Sequence, residues 1–303
     1  MKTHHISLLT RDAEKNVHFY TKILGMRLVK NTVNQENIRI RHLFYGDYLG
    51  TPGTVVTFFV VPMLGPRTDA KRFFNTIRLS VPNGSLDYWK DRLHGFGIQT
   101  DDIEEGISFK DSLDDVTIKF VETHNVLSDW HVVKNTDVPA KYQITRLMGS
   151  ELHIPDPTAT ANFFHDWMGL QVIDNVVQLE DGQAIELFKS PNNDRTRFGR
   201  GSIDHFAFAV PDLKTLDNYY HKALDMKLNF EEYIDRGWFK SLYVRDPGNN
   251  RVELATTEPG FSLEEPILTM GSQLSLTPKF ENKRQEILDF YAKEGVDFHD
   301  VDD

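Results

Sequence analysis

The stretch Ser202-Ile203-Asp204-His205-Phe206-Ala207-Phe208-Ala209-Val210 reads as a strand that ends at Pro211-Asp212, and it opens a unit that runs to Thr257. Side chains on a strand alternate between its two faces. Phe206 and Phe208 therefore point one way, toward the amphipathic segment Pro211 to Leu224. His205, Ala207 and Ala209 point the other way, onto a face of small residues with room for a ligand. Strand patterns follow near Leu228 to Ile234, Lys240 to Arg245 and Arg251 to Thr256, so the order is β-α-β-β-β. In the last of them Val252 and Leu254 share the buried face, which turns Glu253 to the opposite one. The turn Asp246-Pro247-Gly248-Asn249-Asn250, rich in turn formers, holds that strand against its neighbour. A histidine and a glutamate can thus meet inside one cupped sheet.

The junction Val210-Pro211-Asp212 recurs in weaker form as Thr10-Arg11-Asp12, Val81-Pro82-Asn83 and Ile154-Pro155-Asp156. Each copy leads into an amphipathic stretch with an aromatic pair: Phe19-Tyr20, Tyr88-Trp89, Phe163-Phe164 and Tyr219-Tyr220. An internal repeat of this length means one supersecondary unit used several times. Four βαβββ units are expected, at 3–62, 73–123, 144–190 and 201–256. The chain then divides into an N-terminal pair of units (1–123), a linker (124–143), a C-terminal pair (144–257) and a tail (258–303) with one helix.

Counting from the junctions, the slot of His205 holds His5, Thr76 and Gly149 in the other units. The slot of Glu253 holds Thr57, Lys119 and Glu186. His5, His205 and Glu253 make a set of two imidazoles and one carboxylate, the facial arrangement typical of non-haem Fe(II) oxygenases. That set forms if the first unit pairs with the fourth and the second with the third. The rival pairing, third with fourth, uses His205, Glu253 and Glu186 and leaves His5 idle.

The length of 303 residues exceeds one typical domain of roughly 100–200 residues. A hydrophobic share of 40% and a formal net charge of −11 describe a globular chain whose acidity argues against nucleic-acid partners. Cysteine is absent, which excludes disulfides, thiolate catalysis and Cys-type zinc sites. No apolar run approaches the ~20 residues of a membrane span, and no signal peptide is legible, so a cytoplasmic protein without membrane contact is expected.

His4-His5-Ile6, Asp204-His205-Phe206 and Asp246-Pro247-Gly248-Asn249-Asn250-Arg251-Val252-Glu253-Leu254 resemble the vicinal-oxygen-chelate superfamily of glyoxalases, bleomycin-resistance proteins and extradiol dioxygenases. Over roughly 1–260 the chain is similar to the branch that cleaves the rings of hydroquinones. The resemblance implies an α+β fold in which four βαβββ modules form two cupped mixed β-sheet barrels, first module with fourth and second with third. It implies Fe(II), with Mn(II) as an alternative, held by His5, His205 and Glu253. Arg236 and Tyr243 match an Arg and a Tyr found upstream of the branch's Glu, and His4, beside His5, or Tyr243 is the candidate proton acceptor. Some members carry a second His where this chain has Asp204. The partners implied are a small aromatic substrate and O₂, with homo-oligomerisation left open. Two other classes share the scaffold: a glyoxalase-type metal-dependent isomerase or lyase, and a non-catalytic drug-binding protein.

Of the 12 histidines, His153 occupies the register of Ala209 and not of His205. His4 starts on the strand face opposite His5 and reaches the site only if the strand is irregular at its end. The remaining eight, His42 among them, read as structural or surface residues. In the tail, Glu281 to Lys293 has helical spacing and is expected to pack outside the sheets, and Asp297 to Asp303 reads as an acidic end that frays.

Overall fold

The structure, a computed structural model, describes residues 1–299. The first unit comprises β1 (Lys2–Thr10), α1 (Ala13–Val17) running on into a π-helical turn (His18–Ile23), β2 (Arg27–Val33), β3 (Arg41–Gly46) and β4 (Val55–Val60). A short strand, β5 (Phe73–Phe74), precedes the second unit: β6 (Thr76–Pro82), α2 (Leu86–Gly95), β7 (Thr100–Ile103), β8 (Gly106–Lys110) and β9 (Thr117–Thr123). The third holds β10 (Arg146–Ile154), α3 (Pro157–Met168), β11 (Val172–Ile173), β12 (Val176–Gln178) and β13 (Ala184–Lys189). The fourth holds β14 (Ile203–Val210), α4 (Leu213–Asp225), β15 (Asn229–Asp235), β16 (Lys240–Arg245) and β17 (Arg251–Thr256).

The junction aspartates explain why a helix begins at each repeat. Asp12, Asp156 and Asp212 are N-caps whose carboxylates accept the backbone N–H of Lys15, Ala159 and Thr215. The second unit has Asn83 there and solves the problem from outside: Glu122 on β9 accepts the N–H of Ser85 at 2.8 Å and of Leu86 at 3.3 Å. No described helix is long and apolar enough to cross a membrane.

The strand order β15-β16-β17-β14-β1-β4-β3-β2 joins the fourth unit to the first through the antiparallel pair β1 and β14. The order β11-β12-β13-β10-β6-β9-β8-β7 joins the third to the second through β6 and β10. The pairing of third with fourth is excluded. Each sheet is an open cup and does not close into a barrel, since its two end strands do not pair with each other. In the fourth unit the alternation holds along β14 and β17: Phe206, Phe208, Val252 and Leu254 are fully buried in the main core with Leu216 and Ala223 of α4.

The tail covers the open side of the first cup. Phe261 and Met270 pack with Trp238 and Phe239 beside β16, and Leu274 and Leu276 pack with Val33 of β2. Ser275 N–H bonds the carbonyl of Asn31, extending the edge of β2. The helix α5 (Arg284–Lys293) buries Ile287 and Tyr291 in the same cluster. Phe298 is 1% exposed against Tyr291, so the acidic end does not fray at that point; residues 300–303 lie outside the described residues.

The turn between β8 and β9 buries two acids, Asp111 and Asp114, each 1% exposed, within electrostatic reach of Tyr20 and Tyr45 of the first unit. The Thr10 side chain and the charges of Arg200 and Arg11 favour the ionised Asp114 without offsetting its burial. Burial, with Asp111 adding to it, pushes the Asp114 carboxyl up to about 7, and burial pushes Asp111 up to about 6. The folded state holds these protons where the unfolded chain releases them near 3.8. Their contribution to stability is therefore full below about pH 4 and lost as pH rises through 7. Asp114→Asn is expected to raise stability at pH 8 by about 4 kcal/mol, the equivalent of that rise, and by much less at pH 5. Urea midpoints at the two pH values measure it, and an equal effect at both would contradict the assignment.

Candidate metal centre

His5 and His205 face each other across the central strand pair. In that pairing Thr3 and His5 oppose the consecutive residues Phe208 and Ala207, so His4 is the extra residue of a β-bulge. The irregularity on which a role for His4 depends is present. The bulge turns two successive side chains toward the cup, and His4 is 1% exposed with Nδ1 2.8 Å from His5 Nδ1.

The proton positions follow from the fixed partners. The Thr256 carbonyl can only accept, so His4 Nε2, 3.2 Å away, carries the hydrogen. His4 Nδ1 is then a lone pair, and it accepts from His5 Nδ1–H. That leaves His5 Nε2 as a lone pair aimed at the centre. On the other side His205 Nδ1 donates to Asp204 Oδ2 at 2.7 Å, which leaves Nε2 of the neutral ring, the form that binds a metal, as a lone pair as well.

These two nitrogens stand 3.2 Å apart, and Glu253 Oε2 lies 3.3 Å from His5 Nε2 and 3.0 Å from His205 Nε2. Glu253 is 0% exposed, and among the described residues neither of its oxygens has a hydrogen-bond donor while both rings are neutral. The short contacts and the absent bonds agree once both rings carry their protons on Nδ1: three electron pairs converge with no hydrogen between them. Such a cluster is repulsive without a cation. Adjacent donors on a cation at ~2.1 Å stand ~3.0–3.4 Å apart, which matches the measured separations. Among the described residues this is the one His/carboxylate group placed to hold a metal.

With no cation bound, the electrostatics favour a proton in its place. Burial opposes charge on Glu253, but His5 and His205 outweigh it and hold its carboxyl well below the usual range. Burial also opposes a charged His205, and Asp204 and Glu253 overcome it, making a pocket of negative potential around that ring. Burial lowers His5 and, with His5 beside it, brings His4 down to about 3, so both stay neutral ligands or partners. Asp204 fixes the tautomer and orientation of His205, and it is itself tied to Arg251 Nη1 at 3.2 Å. Asp204→Asn is expected to lower metal affinity ~10–100-fold in equilibrium dialysis while leaving the thermal midpoint of the metal-free protein within a few degrees.

Tyr243 lies directly across from Glu253 in the β16–β17 register, its ring 5.5 Å from that of His205. Burial and Glu253 raise its pKa against the pull of Arg236 and Arg251, so it stays a phenol. Arg251 stands 3.9 Å and Arg236 5.3 Å from the Tyr243 ring centre. Arg236 also pairs with Glu232 at 3.2 Å and with Glu36 at 2.9 Å, the latter on the β2–β3 loop. These ion pairs do not place it on the surface: its side chain is 13% exposed and lines the cavity. That cavity, about 230 Å³, is walled by Phe44, Phe59, Trp238 and Phe239.

Among the described residues the second cup carries no such centre. Gly149, in the slot of His205, has φ +143°, and a Cβ there would stand 1.7 Å from the Ala184 carbonyl oxygen, so no side chain can enter. Glu186 pairs with Arg78 at 3.1 Å and Lys119 with Glu151 at 2.6 Å. His153 stacks between Phe73 and Phe188 at 4.5 and 5.1 Å, outside the first cup. His42, read from the sequence as structural or surface, lines the cavity beside His5 and His205 instead. The signal was available: Leu43 and Tyr45 are core residues, so His42 and Phe44 must face the cup. Burial, with His205 and His5, keeps the His42 ring well below its ordinary pKa and neutral.

The model of the Glyoxalase/Bleomycin resistance protein/Dioxygenase superfamily matches residues 2–125 and 144–254. The chain is 32% identical to a candidate ring-cleaving dioxygenase, MhqA, of Bacillus subtilis, over 94% of this chain and 96% of that one. It is 27% identical to the chlorohydroquinone/hydroquinone 1,2-dioxygenase of Sphingobium indicum, over 94% of each. The crystal structure of a candidate dioxygenase from Bacillus subtilis superposes with a TM-score of 0.87 at 27% identity, covering 98% of this chain and 96% of that one.

Proposed function

Because the chain belongs to the Glyoxalase/Bleomycin resistance protein/Dioxygenase superfamily, we propose that it is an Fe(II)-dependent ring-cleaving dioxygenase acting on a hydroquinone-like aromatic. The observation that carries the reading is the convergence of His5 Nε2, His205 Nε2 and the donor-free Glu253 carboxylate at the end of an aromatic cavity. The relatives named as ring-cleaving enzymes support it. His5, His205 and Glu253 would hold Fe(II), which would supply a path for electrons between the ring and O₂; Mn(II) suits the same donors.

The chain's own groups do the rest. Tyr243 donates its O–H to a phenolate oxygen beside the centre, and Arg236 balances negative charge that develops there. His4 has both ring nitrogens engaged, so it holds the His5 ring in place, as Asp204 does for His205. The aromatic walls and the tail exclude water from the ring. Both atoms of O₂ end in the opened product, and no other oxidant is required.

The test is anaerobic reconstitution with Fe(II), then oxygen-electrode traces with hydroquinone, methylhydroquinone and catechol. One O₂ taken up per ring opened is expected, with loss of activity on peroxide treatment and recovery with ferrous iron plus ascorbate. Full activity after chelation would sink the metal assignment. Turnover that continues unchanged without O₂ would point to an isomerase or lyase.

A further inference from the structure

His42 is a polar group of the cavity wall that the chemistry above does not use. Its ring lies between those of Phe44 at 4.1 Å and Phe59 at 4.0 Å. Nε2 is 2.9 Å from Thr57 Oγ1, which is 2.7 Å from Ser7 Oγ. Among the described residues no group bonds its Nδ1. With Nε2–H donating to Thr57, whose hydroxyl passes on to Ser7, Nδ1 is a free acceptor.

The register says where that acceptor stands. Thr57 occupies in the first unit the slot that Glu253 fills in the fourth, and Phe44 pairs with Thr57 as Tyr243 pairs with Glu253. His42 pairs with Phe59, one two-residue step further along β3, roughly 7 Å from the level of the metal slots. The cavity runs the same way: its wall continues from His5 through Ser7 to Leu9 and ends against Val61 and Ile40. A single aromatic ring bound at the centre through one hydroxyl, lying along Phe44 and Phe59, spans that step and brings its para substituent to His42. The polar side chains that the β2–β3 loop adds to the cavity wall are already engaged: Glu36 pairs with Arg236, Gln35 bonds the Arg236 carbonyl at 2.7 Å, and Asn34 Oδ1 accepts the Glu36 N–H at 2.7 Å.

We propose that His42 selects para-diols, its Nδ1 accepting the O–H that the metal does not hold. The proposal rests on reading the cavity as a metal-dependent phenol site. It explains how a diol whose hydroxyls cannot both reach one cation is still held at both ends.

The experiment measures anaerobic binding of hydroquinone and of phenol, which lacks only the second hydroxyl, to Fe(II)-reconstituted wild type, His42→Leu and His42→Gln. Wild type is expected to bind hydroquinone about 10-fold tighter than phenol, the worth of one such hydrogen bond. His42→Leu should lose that preference by weakening hydroquinone alone, with phenol affinity and iron per chain unchanged, and His42→Gln, which keeps an acceptor, should recover part of it. Equal weakening of both ligands in His42→Leu, or an intact preference, overturns the role of His42 and leaves the functional reading standing. Wild type that takes up iron and binds neither phenol overturns the functional reading, and this proposal with it.

Discussion

His5→Ala is expected to lose its metal altogether, falling from about one iron per chain to background while the fold persists. The substitution removes one of three converging donors and leaves Glu253 and His205 3.0 Å apart, a two-donor set with one oxygen and one nitrogen. Since loss of a mere supporting contact lowers affinity ~10–100-fold, loss of a ligand should exceed that and abolish turnover. Glu186→Ala is the control. Glu186 is paired to Arg78 in the other sheet, 30% exposed, and its removal should leave iron content and oxygen uptake near wild type. Metal analysis of both variants, with circular dichroism to check the fold, gives the answer. Retained iron in His5→Ala with loss in Glu186→Ala would reverse the site assignment.

Lys30→Met should cost about 3–5 kcal/mol of stability and loosen the tail. Lys30 on β2 is 0% exposed, and its ammonium meets Glu264 at 2.6 Å, Glu265, and Ser275 Oγ at 3.0 Å. Glu264 in turn accepts the indole N–H of Trp238 at 2.7 and 2.8 Å, and Trp238 walls the cavity beside His5 and His205. A methionine keeps the volume and strands two carboxylates, one of them, Glu265, 5% exposed. The lost charge partner therefore acts on the tail and, through Trp238, on the substrate cavity. Urea denaturation reads the stability, and limited proteolysis reads the release of residues 258–299. Adding Glu264→Gln and Glu265→Gln to Lys30→Met should restore part of the loss, because no uncompensated charge then remains buried. A single variant within ~1 kcal/mol of wild type would show that the ion pairs do not hold the tail.

Much of the fold was legible because its rules are local. Period-two alternation separates Phe206 and Phe208 from His205 whatever surrounds them. An aspartate at a junction caps the helix that follows through its own next turn, so Asp12, Asp156 and Asp212 mark the repeats directly. Superposing the repeats then aligned His5 with His205 and Thr57 with Glu253. The ligand inventory favoured the first unit with the fourth, because only that choice gives two imidazoles and a carboxylate.

What the tertiary structure alone decided lies where distant segments set the geometry. The bulge at His4 exists in the register between β1 and β14, a property of two strands about 200 residues apart and of neither by itself. It converts a side chain of the wrong parity into the partner that fixes the His5 tautomer. The second unit's helix is capped by Glu122 on a later strand, which no junction motif could announce. The tail's place over the cup depends on Lys30 meeting acids 234 and 235 residues away. Its sequence shows a helix and charges but not the apolar face awaiting them. His42 was legible in its face and not in its role, for alternation says that a residue points into a cup and only the packed walls say that the cup is a cavity.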